Sequence, residues 1–169
     1  LTSAEIAARK QARAYLQALR QFLPGFENAY INQTGPQLGI RETRHTIGEY
    51  VITRDDVVQA VRHQDAVARG CWPVERHSDT GALADYEFVL DNSYYDIPLR
   101  ALKMKGLKNL WGAGRTVSCD LMAFASVRVM GTGFATGHAA GVAASIFAHK
   151  GQAAITDVRD ELLRQEAII

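Results

Sequence analysis

The run Gly131-Thr-Gly-Phe-Ala-Thr-Gly restricts what this chain can become more than any other segment. It opens a helix that the sequence carries to about His149, where Gly151 stops it. Glycines at 131, 133 and 137 let a backbone pass close to a bound group, and the unpaired N–H groups and dipole at a helix start favour negative charge. Further along, Gly137, Ala140, Gly141 and Ala144 form a stripe of small residues that another backbone or a flat ligand can approach closely. Tight packing of a helix on a sheet explains the same glycines equally well. With Ser126 to Met130 read as a strand before it, the segment also looks like the first turn of a dinucleotide-binding fold. That match is weak. The third glycine is out of place, Thr156 onward reads as a helix rather than a strand ending in an acid, and too little chain follows for the βαβ units the fold needs.

The rest of the composition narrows the function classes. At 169 residues and 47% apolar, the chain is one domain's worth of soluble globular protein. Its 19 Lys and Arg against 18 Asp and Glu give a net charge of +1, and no run of five or six like charges occurs. A nucleic-acid partner needs a basic footprint that is missing here, so none is expected. No apolar stretch reaches the roughly 18 residues of a membrane span, and no membrane partner is expected either. Cys71 and Cys119 lack the Cys-x-x-Cys spacing of a zinc or redox site, so no metal is expected, and free thiols point to a reducing, cytoplasmic setting. The first residue is Leu1 rather than Met, which leads us to expect that an upstream part has been removed.

Residues 2 to 23 read as an amphipathic helix with a Thr2–Glu5 capping box and Ala8, Ala12, Leu16, Leu19 and Leu23 on one face. Pro24 and Gly25 end it, and Lys10, Arg13, Gln17 and Arg20 make a solvated face. Between Phe26 and Ile52, two strands with a loop fit the pattern. Thr53 with Asp55 and Asp56 starts a short helix from about Arg54 to His63. Val67 to Val74, Tyr86 to Leu90 and Tyr94 to Leu99 read as strands, with a polar loop over 77–84. Asn109 to Ala113 is a short apolar run, and Thr156 to Gln165 a final helix.

Seven ordered blocks carry a resemblance. They are Gly25-Phe-Glu-Asn-Ala; Gly39-Ile-Arg-Glu-Thr-Arg; Ala68-Arg-Gly with Pro73 and His77; Tyr95-Asp-Ile-Pro-Leu-Arg; Asn109-Leu-Trp-Gly-Ala-Gly-Arg; Ala125-Ser-Val-Arg-Val-Met; and Gly137-His-Ala-Ala-Gly. In order and spacing they are similar to the C-terminal part of FAD-dependent oxidoreductases of the glutathione-reductase-like flavoprotein superfamily. The resemblance runs from about Ala12 to Leu163. It implies an α+β or α/β fold, the C-terminal part of a two-domain FAD-binding flavoprotein. Residues 1–25 would be the amphipathic helix, 26–108 the β-rich substrate side, 109–150 the last strand and helix of the FAD domain, and 151–169 a C-terminal helix. The family's N-terminal Gly-x-Gly-x-x-Gly loop has no counterpart here. The partner implied is therefore a Rossmann half, from the same protein or a separate chain, without which FAD is not fully bound.

The resemblance also implies roles. Gly112, Ala113 and Gly114 would end a strand near the ribityl and phosphate groups of FAD, with Arg115 as a cation for them. Arg128, Val129 and Met130 would lie beside the isoalloxazine, with the Thr132–Gly133 helix start at its N1 and O2 edge, where positive charge stabilises the reduced anion. Arg41, Glu42, Arg44, His77, Tyr95 and Arg100 fall on the substrate side. Arg41, His77 and Arg100 lead as catalytic candidates, an Arg to clamp a carboxylate and His77 to accept a proton as a hydride leaves a small organic substrate. The chain departs from the family in three places: Gly131 where relatives often carry Pro, His138 for Gln, and Asp120-Leu-Met for Thr-His-Glu. Two other readings are a non-catalytic subunit completing a flavoprotein and a stand-alone nucleotide-binding domain on the Gly131 loop. An exposed small-residue stripe and open sheet edges would also favour homo-oligomers.

Overall fold

The first helix, α1 (Thr2–Phe22), is built from alanine and long straight side chains that lose little freedom when helical. The computed structural model describes residues 1–77 and 84–169 and divides them into two units, Leu1–Ile40 and Arg41–Ile169. In the first unit α1 has no buried residue, although its apolar face recurs as the sequence suggests. The expected Thr2–Glu5 capping box is absent. Glu5 instead accepts from the Leu38 N–H at 2.7 Å and pairs with Arg9 at 2.8 Å, pinning the return of the chain onto α1. Arg20 does the same at the other end by donating to the Ala29 carbonyl. Gly25, with φ of +90°, turns the chain after the helix in a conformation a side chain would strain.

No strand forms between Phe26 and Ile52, which corrects the expectation of two. Isolated bridges at Gly48 and Ile52 are all that appears, because the apolar residues there are sparse and interrupted by Gly35, Pro36 and Gly39. In the second unit the same backbone finds partners in a distant loop, Thr46 N–H with the Thr116 carbonyl and Ile52 N–H with the Ser118 carbonyl. Helix α2 (Arg54–Val58) starts from Thr53 and Asp56 in a reciprocal capping box, as expected, but ends well before His63. Ala60, with φ of +53°, breaks it.

The predicted strand over 67–74 divides into β1 (Ala66–Gly70) and β2 (Val74–Arg76) at the Cys71–Pro73 break. Strand β1 pairs antiparallel with β4 (Tyr95–Pro98), and β2 with β3 (Asp85–Glu87). Beyond Glu87 the expected strand gives way to a 3-10 turn at Leu90–Asn92, and the 77–84 loop falls mostly outside the described residues. Gly70 accommodates the ring of Tyr95, since a Cβ there would sit 2.3 Å from its Cζ. Tyr95 is wholly buried and its hydroxyl donates to Ser126 Oγ at 2.7 Å, because the Ser126 hydrogen goes to the Trp72 carbonyl.

After α3 (Leu99–Leu102), the run Asn109 to Ala113 makes one bridge, Lys103 with Trp111, rather than a strand, and Gly114–Thr116 is a 3-10 turn. Ser126 and Val127, read above as strand, close helix α4 (Leu121–Val127), which Asp120 caps through the Ala123 N–H. Helix α5 (Met130–Lys150) follows and ends at Gly151, whose φ of +72° is the expected left-handed stop. Helix α6 (Ile155–Arg164) packs on it. Ile52, Val67, Ile97, Leu102, Phe124 and Leu162 are fully buried in one core, each burial stabilising by about 1.5–3 kcal/mol. Among the described residues the architecture of the second unit is mixed, helices with two small antiparallel ribbons.

Candidate functional site

Strand periodicity of two places Glu75 and His77 on one side of β2 and its continuation. They meet the apolar face of α4, and between them lies a cavity of about 310 Å³ lined also by Glu42, Leu121, Phe124 and Arg128. Glu75 is the fixed member of the group. Its carboxylate accepts from Trp72 Nε1 at 3.0 Å and from the Tyr86 hydroxyl at 3.1 Å. Trp72 above all, then Tyr86, with the nearby charges of His77 and Arg128, hold its carboxyl below the usual glutamate range against the pull of burial. His77 Nε2 lies 3.5 Å from Glu75 Oε1 and 3.3 Å from Arg41 Nη1. Arg128, at the C-cap of α4, reaches back to the Glu75 carbonyl at 3.4 Å.

Two residues after Arg128, α5 begins at a Val129 N-cap that offers no side-chain cap. Its first N–H groups therefore keep their donor capacity and the positive end of the helix dipole. The 3-10 turn at Gly114 lies directly against this start. A Cβ on Gly133 would be 4.0 Å from Gly114 Cα, and Thr136 Oγ1 accepts from the Gly114 N–H at 3.0 Å while donating to the Thr132 carbonyl. Gly114 itself, with φ of +59°, needs glycine's freedom. Cβ atoms on Gly114 or Gly131 would meet nothing within 4 Å, so bare backbone is open to an incoming group. Arg115 and Met130 are exposed, Val129 is half-buried and Thr132 is buried. Gly112 acts differently, because a Cβ there would be 2.8 Å from Thr46 Cγ2, and its absence lets the 46 and 112 segments close together. An open glycine backbone, an uncapped helix start and an adjacent arginine fit the electron-rich edge of a flavin and its ribityl chain.

The sequence candidates thus divide. Arg41, His77 and Arg128 come together, with Glu42 lining the same cavity and pairing with His45 at 3.4 Å. Arg100 is elsewhere. Its guanidinium donates to His63 Nδ1 at 3.0 Å, pairs with Asp65 at 3.5 Å and lies over the Tyr50 ring. His63 in turn faces Asp56, which accepts from the Tyr50 hydroxyl at 2.8 Å. Burial, then that hydrogen bond, pushes the Tyr50 hydroxyl up to about 12. Tyr95 is sealed in the core with its proton committed to Ser126, and Arg44 is exposed. Asp120 caps α4 and accepts the Arg54 N–H. Sequence reasoning missed Glu75, Trp72 and Tyr86. The two-residue spacing of Glu75 and His77 was the available signal.

A family model described as FAD dependent oxidoreductase matches residues 1–166. No curated protein and no solved structure matches the chain. Among the described residues no helix is long and apolar enough to cross a membrane.

Proposed function

The chain belongs to the FAD dependent oxidoreductase family, and from that premise we propose that it forms the substrate side and one wall of a flavin site used for hydride transfer from a small organic substrate. The observation that carries this reading is the continuity of two features. Arg128 lines the Glu75–His77 cavity, and α5 starts two residues after it. Bound FAD would supply a two-electron acceptor for the hydride. Gly114, Arg115 and the Val129–Gly133 backbone would hold its ribityl chain and pyrimidine edge, Gly112 and Ala113 shaping the approach. Arg128 and Met130 would face the ring system. His77 would take the proton that leaves the substrate hydroxyl as its C–H hydrogen departs with the bonding electrons, so that a carbonyl forms. Leu121 and Phe124 would cover the apolar part of the substrate and Arg41 an anionic one.

A partner completes the site on this reading. On α5, Phe134 is 77% exposed, and Gly137, Gly141 and Ala144 are exposed beside it. This face suits a Rossmann half, supplied by the same protein or by a separate chain. We place the protein in the cytoplasm, where Cys71 and Cys119 stay as free thiols. The test is to purify the product of the complete gene and identify any released cofactor by mass. A flavin spectrum with FAD released is expected, and Arg115→Ala and Arg128→Ala should each weaken FAD retention about tenfold or more, as loss of a charged contact to a ligand typically does. A colourless protein after FAD supplementation overturns the reading.

A further inference from the structure

One ring nitrogen of His77 has two suitors of opposite sign. Arg41 Nη1 is 3.3 Å from Nε2, and an arginine can only donate. Glu75 Oε1 is 3.5 Å from the same Nε2, and a carboxylate can only accept. Both cannot be satisfied by one protonation state of that atom. While Arg41 donates, Nε2 must carry a lone pair and the neutral ring must hold its hydrogen on Nδ1. If Arg41 leaves, Nε2–H can donate to Glu75 and the lone pair moves to Nδ1.

We propose that Arg41 and Glu75 compete for Nε2 of His77, so that an anionic substrate, by drawing Arg41 away, switches the imidazole into the form that Glu75 holds and that serves as base. The two partners are unequal in the way this requires. Glu75 is anchored by Trp72 and Tyr86 and only 19% exposed, whereas Arg41 is exposed and His77 is 46% exposed. An exposed contact of this kind is weakly held, and a carboxylate offers a guanidinium a stronger, charge-assisted partner than an imidazole does. Glu42, Arg76 and Arg128 also face the cavity, and none of them presents a carboxylate that already claims Arg41. The hydrogen balance is neutral: Nδ1 gives one proton to water and Nε2 takes one from water. The substrate's own hydroxyl proton then goes to Nδ1, and the resulting imidazolium is paired with Glu75. Glu75 is accordingly a positioning residue. The substrate class is a small compound carrying a hydroxyl on the carbon to be oxidised and a carboxylate for Arg41.

The catalytic meaning of the switch rests on the function proposed above, but the switch itself is read without flavin or turnover. Nitrogen-15 NMR of the His77 imidazole in the full chain, at a pH where the ring is neutral, reports which nitrogen bears hydrogen. The expected result is Nδ1–H in the parent chain and a change to Nε2–H in Arg41→Ala. Benzoate, as a plain carboxylate probe, should produce the same change in the parent. Glu75→Met, which leaves no acceptor for Nε2–H, should reduce the change in either setting, and Arg41→Lys should largely keep Nδ1–H. An unchanged ring in Arg41→Ala overturns the proposal, as does Nε2–H already present in the parent, or a parent ring indifferent to benzoate. Failure of FAD to bind would leave these outcomes standing, and their failure would leave FAD binding untouched.

Discussion

Helices α1 and α5 have the same length, 21 residues, and opposite fates. Helix α1 has a clear apolar stripe and buries no residue. Helix α5 has no stripe worth the name, yet it buries Thr132, Thr136, Ala139, Val142 and Ala143 against β1 and its neighbours. A stripe states only that a helix has a face to hide. Small side chains decide how near a neighbour comes, and α5, with glycine, alanine and threonine along it, lets other backbones approach. The buried Thr136 hydroxyl donates to the Thr132 carbonyl one turn back, so its polarity costs little inside this helix.

The comparison is best broken with matched substitutions. Leu162→Ala, in the α6 face packed on α5, is expected to cost about 2–5 kcal/mol, while Leu19→Ala in α1 should stay within about 0.5 kcal/mol. Urea midpoints of the two variants check this, and equal losses would mean that α1 has a buried partner after all. Next in size, Thr136→Val keeps the shape but removes the acceptor of the Gly114 N–H, at about 1–3 kcal/mol. Faster amide exchange at Gly114 should accompany that loss. Smaller still, Gly141→Ala on the open side of α5 meets nothing within 4 Å and should stabilise the chain by about 0.5–1 kcal/mol through helix propensity. If a Rossmann half docks there, the same change should weaken that association in the complete protein, a reversal that sedimentation would register.

The smallest effect is one of pH. Glu161, on the exposed side of α6, accepts from Arg164 first and Gln165 second, and these bonds lower its carboxyl from 4.5 to about 2. A carboxyl depressed in the folded state contributes stability above its unfolded value and loses it as protons are added. Stability should therefore fall slightly between about pH 4.5 and 2, and Glu161→Gln should flatten that limb of a pH-dependent urea series.

What was legible in the sequence was local. Thr53 with Asp56, the Gly151 stop and the α6 boundaries depend on neighbours within one turn, so residue types report them directly. Ser126–Val127 was misread because a short apolar run fits a strand or a buried helix equally well. Asp120, six residues earlier, settles the matter by capping α4. The absent strands before Ile52 failed for the opposite reason, since Thr46 and Ile52 take their hydrogen bonds from residues about seventy positions away. At the site, Arg41 and His77 could be suspected because their separate blocks both fall on the substrate side, but on that ground Arg100 could not be excluded. Its capture by His63, Asp65 and Tyr50 is visible only once the chain is folded.

The fit of Tyr95 over Gly70 has a consequence for heredity. A ring held at its tip by Ser126 cannot yield to a new methyl group 2.4 Å from its oxygen, so positions 70 and 95 are inherited as one unit. Alanine at 70 should be deleterious beside tyrosine and tolerable beside a smaller residue at 95, the kind of pairwise dependence that double-mutant cycles measure at about 0.5–3 kcal/mol. Descendants of this sequence that lose the glycine should be found to have lost the tyrosine first.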